Sequence, residues 1–266
     1  MRLLRPAQAF KAAIVFLPAL FNGQGSLQRH GVGLHLTACT WIIASGCVYI
    51  FNDLWDLPRD LQREDRRHRP LVRGDVSKVQ AWLVLGGMLV LLGILLAYRP
   101  SSLALYISIY LVLNLAYTLR LKRVQGLRQA IVALGFWFRL KSGAEPIYPI
   151  PLTPWGSIFT LSLAYYLNCL KGDLSKSENP IPAWAGALLA GSLTLTALCS
   201  LCIHRALLGS LNHPEFPPLL CLIGMHRVAL ASSRGDGRKE QASLFFKDWV
   251  VVGCEITFLA LMVGMP

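Results

Sequence analysis

Between Leu34 and Phe51 the chain runs for eighteen residues without an Asp, Glu, Lys or Arg. A stretch of that length crosses roughly 30 Å of hydrocarbon only as a helix, because in lipid every backbone N–H and C=O must be paired within its own segment. Comparable apolar runs recur to the end of the chain. About nine helices are expected, near residues 7–22, 34–54, 79–98, 101–119, 127–145, 155–171, 182–203, 217–231 and 245–264. The connections between them are too short to hold a soluble domain. Residues 1–266 therefore read as one all-α polytopic membrane bundle. A hydrophobic fraction of 54% and a mean hydropathy of +0.49 agree with that class. Arg2 and Arg5 precede an apolar stretch with no small-residue cleavage site after it, so no cleavable signal peptide is expected.

The formal charge of +12 invites a nucleic-acid reading, but its distribution points elsewhere. With a cytoplasmic N-terminus, 21 of the 26 Lys and Arg residues fall on the cytoplasmic side or at helix ends facing it. Only Arg29, Arg99, Arg139, Lys141 and Arg205 fall on the other. This is the positive-inside asymmetry of a membrane protein. It implies a lipid bilayer as the partner and no nucleic acid, and an odd helix count then leaves the C-terminus outside.

One stretch breaks the apolar pattern: Asn52-Asp53-Leu54-Trp55-Asp56-Leu57-Pro58-Arg59-Asp60. Steps of three and four along a helix bring side chains toward one face, so Asp53, Asp56 and Asp60 are expected to point the same way, with Asn52 one turn before Asp56. Carboxylates crowded to about 4 Å repel by a few kcal/mol per pair. A helix cap needs one such residue and not four. A shared divalent cation is the natural explanation. Mg²⁺ prefers oxygen ligands and is commonly held by one or two carboxylates together with substrate phosphates.

Arginines follow at once, in Arg63-Glu-Asp-Arg66-Arg67-His-Arg69-Pro-Leu-Val-Arg73. Guanidinium groups capture phosphate oxygens in bidentate fashion. Arg66, Arg67 and Arg69 thus complement a metal–diphosphate complex gripped by the aspartates, although part of this charge serves topology and pairing with Glu64 and Asp65. Further along, Tyr117 and Lys122 stand at the exit of the fourth helix. Arg139 lies deep in an apolar helix, where a charge is costly unless it faces a partner inside the bundle. Lys171 and Asp173 end the sixth helix, Arg227 opens a basic loop, and Lys247-Asp248 begins the ninth helix. With nine helices all of these except Arg139 gather at the cytoplasmic mouth.

Smaller features carry less. The seven cysteines lie almost wholly in apolar runs, and Cys199-x-x-Cys202 reads as two small buried residues. Lys11 either snorkels to the interface or faces a polar interior. Small residues at 45, 46, 86, 87 and 93 are expected to permit close helix packing.

The Asn52–Asp60 stretch resembles the N-D-x-x-D-x-x-x-D motif of the UbiA-type intramembrane prenyltransferase superfamily. Several other pieces are similar to its decaprenyl-phosphate phosphoribosyltransferase branch. These are Arg66-Arg67-His68-Arg69-Pro70, Asn114-Leu-Ala-Tyr117-Thr118 with Lys122, Gly135-Phe-Trp-Phe-Arg139 with Gly143, and Lys247-Asp248. The matches span residues 52 to 248. Aromatic prenyltransferases of the superfamily carry a second Asp-rich motif after the sixth helix, where this chain has only Asp173 beside Lys171. Arg128 stands where the phosphoribosyl branch commonly has Asp, and Asp60-Leu-Gln-Arg-Glu replaces its D-R-x-H-P run.

The resemblance implies a helical bundle around a cytoplasm-facing central cavity, in a bacterial inner membrane. Asp53, Asp56 and Asp60, supported by Asn52, would hold Mg²⁺ on the diphosphate of phosphoribosyl pyrophosphate. The acceptor would be a membrane polyprenyl phosphate. Lys122, Arg139 and Lys171 would serve the two monophosphates. Two other readings stay open at this point. One is a prenyl diphosphate transferase acting on an aromatic or quinone-precursor acceptor. The other is a transporter whose intramembrane charges mark a solute path.

Overall fold

The computed structural model describes residues 6–21, 24–120, 127–147, 154–172, 181–207, 216–233 and 249–263, and its regular elements among these residues are all helical. A 3₁₀ helix at Pro6–Phe16 leads into α1 (Leu17–Phe21) and then α2 (Gln24–Asp60). A 3₁₀ turn at Glu64–Arg66 and the one-turn α3 (Pro70–Arg73) connect to α4 (Lys78–Ala97) and α5 (Ser101–Leu119). There follow α6 (Leu127–Ala144), α7 (Pro154–Gly172), α8 (Ile181–Leu207), α9 (Phe216–Ser233) and α10 (Trp249–Val263). By length and composition, Gly25–Asp60, Lys78–Ala97 and Ser101–Leu119 are each able to cross a membrane. The chain is an integral membrane protein.

Two departures from the sequence expectation have simple causes. The first apolar segment is not one α-helix: it is 3₁₀ to Phe16 and α from Leu17. Pro18 lacks an N–H and its ring clashes with the carbonyl four residues back, so a continuous α-helix through this point is disfavoured. The second helix is far longer than 34–54. Helical geometry needs no apolar side chains, so α2 extends ten residues further at its polar N-terminal end. At its C-terminal end it carries the whole acidic stretch in its last turns, with Pro58 inside the helix.

Packing runs around the bundle. α2 lies against α4, α5, α6 and the N-terminal 3₁₀ segment; α6 packs on α7, α7 on α8, α8 on α9 and α9 on α10, which reaches back to α1. One core joins the 3₁₀ segment, α2, α4, α5 and α6 through Val15, Leu34, Trp41, Leu92, Ile107 and Phe138. A second gathers Tyr166, Ala187, Ala190, Met225 and Val251 from α7 to α10. The outward side of α4 exposes Val79, Trp82, Leu83, Val90 and Ile94, as a lipid-facing helix does.

Of the small residues expected to permit close packing, Ser45 and Gly46 are buried, whereas the three glycines of α4 are not. A Cβ on Gly86, Gly87 or Gly93 would meet nothing within 4 Å, because all three face away from neighbouring helices. The close approach is at Gly143 on α6, where an added Cβ would lie 2.0 Å from the carbonyl oxygen of Val15.

A small device shapes the loop after α2. Arg69 caps α3 in extended conformation, Pro70 occupies its first turn, and Gly74 ends it with φ of 79°, its N–H bonded to the Pro70 carbonyl. A β-branched residue in this left-handed conformation costs about 1–2 kcal/mol. Gly74→Val is therefore expected to lower the thermal midpoint of the detergent-solubilised protein. Gly74→Asn, which tolerates the conformation, is expected to stay near the parent.

Candidate active site at the C-terminal end of α2

At 100° per residue, Asp53 and Asp60 are seven residues and about 20° apart around α2, so they share one line along the helix. Both are buried, at 4% and 5% exposed. The loop after α2 folds back so that Arg69 meets them: its Nη1 donates to Asp53 Oδ1 at 2.9 Å and also to Asp60 Oδ2. One guanidinium nitrogen thus bridges two carboxylates. Leu57 lies between the two aspartates in sequence and packs with Leu71 of α3, which anchors the loop beneath Arg69.

Asp56 is about 60° around the helix from Asp53 and Asn52 about 100°, on the side turned toward α5. Asp56 is half-buried. Among the described residues no three His, Cys, Asp or Glu side chains come together. The Asp53–Asp60 pair nevertheless fits a hard divalent cation. Two buried carboxylate oxygens already converge on a single positively charged atom, and one or two carboxylates plus phosphate oxygens are the usual protein share of a Mg²⁺ site.

Asn52 makes a contact that the sequence did not reveal: the Thr118 hydroxyl of α5 donates to its Oδ1. Thr118 is 2% exposed and also lies 2.8 Å from the carbonyl of Asn114, one turn earlier. Its neighbour Tyr117 is half-buried. The available signal was spacing alone: Asn114 and Thr118 are one turn apart at the end of α5, and only the packing of α5 on α2 gives that spacing a meaning.

The remaining arginines diverge. Arg66 is half-buried in the 3₁₀ turn. Arg67 is turned out, its side chain 75% exposed beside Glu64 at 3.6 Å, a pair worth little in water. Arg139 does face the bundle interior, at 4% exposed, but not the aspartates. Its Nη1 donates to the Gly135 carbonyl at 2.7 Å and its Nη2 to Ser45 Oγ at 2.7 Å. The guanidinium also lies 4.9 Å from the Trp41 ring and 5.2 Å from the Tyr110 ring. Trp41 in turn donates to Ser142 Oγ at 2.8 Å. Ser45 precedes Asp53 by eight residues, so this cage sits about 12 Å deeper along α2. Two hydrogen bonds and two aromatic faces, each worth about 0.5–2 kcal/mol, offset the burial of the charge. The aromatic and hydroxyl partners belong to α2 and α5, which sequence reading could not pair with α6.

At the opposite end of the bundle, Arg99 donates to the Gly33 carbonyl and the Thr37 hydroxyl. Glu145 accepts from Ser102 and Tyr106, and Lys141 sits over the rings of Tyr106 and Trp137. Lys171 lies at the C-terminal end of α7 and Arg227 within α9. Lys122, Asp173, Lys247 and Asp248 lie outside the described residues.

A profile of the UbiA prenyltransferase family matches residues 12–251. The chain belongs to that family. The match contains the acidic end of α2, the Arg69 loop, Thr118 and the Arg139 cage. A decaprenyl-phosphate phosphoribosyltransferase of Mycolicibacterium smegmatis is 29% identical over 151 residues, covering 57% of this chain and 46% of that protein. The mitochondrial 4-hydroxybenzoate polyprenyltransferase of Homo sapiens is 33% identical over 128 residues, covering 45% and 34%. An uncharacterised protein of Sinorhizobium fredii is 31% identical over 170 residues, covering 62% and 31%. The matched stretches thus span about a third to a half of the relatives' own lengths. UbiA relatives named for a phosphoribosyl and for a prenyl reaction both resemble this chain.

Proposed function

We propose that this protein transfers 5-phosphoribose from phosphoribosyl pyrophosphate to a membrane polyprenyl phosphate, releasing pyrophosphate, with the reaction centre at the C-terminal end of α2. The observation that carries the reading is the pair of buried carboxylates, Asp53 and Asp60, bridged by the phosphate-binding type of side chain, Arg69. Similarity to decaprenyl-phosphate phosphoribosyltransferases supports it, including one of Mycobacterium tuberculosis that is 26% identical over 196 residues, 71% of this chain and 63% of that protein.

In this reading Asp53 and Asp60 would hold Mg²⁺ together with oxygens of the diphosphate, flanked by Asp56 and Asn52. When bound, the cation supplies positive charge that offsets the charge developing on the leaving pyrophosphate. Arg69, released from the two carboxylates, turns its donors to the diphosphate oxygens, with Arg66 beside it in the same loop. The bond from the anomeric carbon to the diphosphate oxygen breaks, and a bond from that carbon to a phosphate oxygen of the lipid forms on the opposite face, with inversion. A phosphate with a second pKa of about 6 is already largely ionised at neutral pH, so the attack needs no general base. Arg67 stays outside, and Arg139 acts through the bundle wall it locks. The cytoplasmic side of a bacterial inner membrane is the proposed location of the site, from the basic loops around it.

The second reading, a prenyl diphosphate transferase acting on an aromatic acceptor, is favoured by the match to the human 4-hydroxybenzoate enzyme. One membrane assay separates them: labelled phosphoribosyl pyrophosphate with a polyprenyl phosphate, against labelled prenyl diphosphate with 4-hydroxybenzoate. Lipid-extractable label from the first donor is expected. Label only from the second would overturn the phosphoribosyl reading. Asp56→Ala is expected to remove transfer while leaving the protein folded and membrane-inserted. Full activity in that variant would exclude Asp56 from the set.

A further inference from the structure

Thr118 is buried, and its hydroxyl meets two oxygens, the carbonyl of Asn114 at 2.8 Å and Oδ1 of Asn52. A hydroxyl carries one proton to donate. The Asn114 carbonyl lies inside α5, where it accepts the N–H of the residue four positions on, so it is satisfied without the hydroxyl. Oδ1 of Asn52 is a side-chain acceptor with no place in the helical ladder. The structure has the hydroxyl donating to Oδ1 of Asn52, which turns the amide oxygen to α5 and leaves the NH₂ group for the acidic side of α2. The register of α2 gives the same answer. Asp56 follows Asn52 by one turn, and residues so spaced are neighbours on the helix surface. An NH₂ group complements a neighbouring carboxylate, whereas an amide oxygen in its place would repel it.

We propose that Thr118 is a positioning residue that holds Asn52 as a hydrogen-bond donor to a diphosphate oxygen of the donor substrate, and not as an oxygen ligand of the divalent cation. This rests on the diphosphate chemistry proposed above. It assigns the tie between α5 and the acidic stretch a part in substrate binding, and it separates Asn52 in role from the aspartates that surround it.

Thr118→Val preserves shape and removes the hydroxyl, and Thr118→Ser restores it. A hydrogen bond to a charged group contributes about 1.5–3 kcal/mol, so losing its orientation is expected to raise KM for the diphosphate donor roughly tenfold in Thr118→Val. The half-saturating Mg²⁺ concentration is expected to stay unchanged, and Thr118→Ser to return KM toward the parent. Independently of turnover, the thermal shift that inorganic pyrophosphate with Mg²⁺ gives the purified detergent-solubilised protein is expected to shrink in Thr118→Val and recover in Thr118→Ser. A Thr118→Val protein indistinguishable from the parent overturns the proposal, as does a loss that Ser does not restore. A shift in Mg²⁺ half-saturation with donor KM unchanged also overturns it, and makes Asn52 a cation ligand instead. If the parent transfers neither labelled donor yet keeps a Thr118-dependent pyrophosphate shift, the reaction assignment fails and the positioning role stands.

Discussion

Asp53→Asn will abolish transfer while leaving the protein inserted in the membrane. The substitution is isosteric and removes one negative charge from a pair that is almost wholly shielded from water. The two carboxylates together with Arg69 carry a net charge of about −1; with one of them neutral, the group sums to about zero and has little to offer a divalent cation. Removing a single preorganised charge or donor at a reacting centre typically costs a factor of 10² to 10³ in kcat, about 3–4 kcal/mol. Losing a carboxylate that, in the proposed reading, would hold the cation on the diphosphate belongs at the upper end. The structural cost is smaller. Breaking a buried ion pair outright costs about 3–5 kcal/mol, but Arg69 keeps Asp60 as a partner and its own side chain is 12% exposed. Measured in membranes with both labelled donors, and alongside thermal midpoints in detergent, Asp53→Asn should lose transfer with only a modest drop in stability. Transfer at the parental rate would remove the Asp53–Asp60 pair from the mechanism.

Among the described glycines, Gly143→Ala is expected to be the most damaging added methyl group. The new Cβ would lie 2.0 Å from the Val15 carbonyl oxygen and 2.8 Å from its carbon, both backbone atoms of the 3₁₀ segment, so no side-chain rotation relieves the overlap. That segment buries Ala12 and Val15 in the same core as Trp41 and Phe138, and lifting it exposes them. Overpacking usually costs about 1–3 kcal/mol; a rigid neighbour puts this site at or above the top of that range. The expected result is little monodisperse protein after extraction and a markedly lower thermal midpoint. Gly87→Ala on α4, where a Cβ meets nothing within 4 Å, is the control. It should be neutral or stabilising by up to about 1 kcal/mol, the difference in helix propensity. Equal behaviour of the two variants would mean that the 3₁₀ segment does not lie against α6.

The acidic stretch shows how far one-dimensional reading reaches. Asp53 and Asp60 are legible as a pair because seven residues is almost two whole helical turns, which follows from helix geometry alone. The same rule places Asp56 nearby but about 60° around the helix. Steps of three and four bring residues near one another but leave them tens of degrees apart, and in a site a few ångströms wide that decides which carboxylates meet. The arginine run was legible as a cluster of positive charge beside the acidic stretch, but which arginine turns inward was not. Arg67 and Arg69 are two residues apart in the same short loop. Pro70, α3 and the packing of Leu71 on Leu57 set Arg69 on the aspartates, while Arg67 is left in water beside Glu64. Arg139 was legible as a bundle-facing charge because an unpartnered arginine in lipid is too costly. Its partners were not, since they come from residues about a hundred positions away on α2 and about thirty away on α5.

What the sequence by itself determined is what depends on neighbours along the chain. The apolar runs specify an all-α membrane protein, because no other backbone arrangement satisfies its hydrogen bonds within one segment in lipid. The 3.6-residue period aligns Asp53 with Asp60, and the asymmetry of basic loops sets an expected orientation. What only the tertiary structure decided is what depends on helix docking: Arg69 bridging two carboxylates, Thr118 taking the amide oxygen of Asn52, Arg139 held between Trp41 and Tyr110, and Gly143 rather than Gly86 or Gly87 at the close contact. Those choices turn on side-chain fit and desolvation between segments far apart in sequence, and no local periodicity encodes which helix meets which.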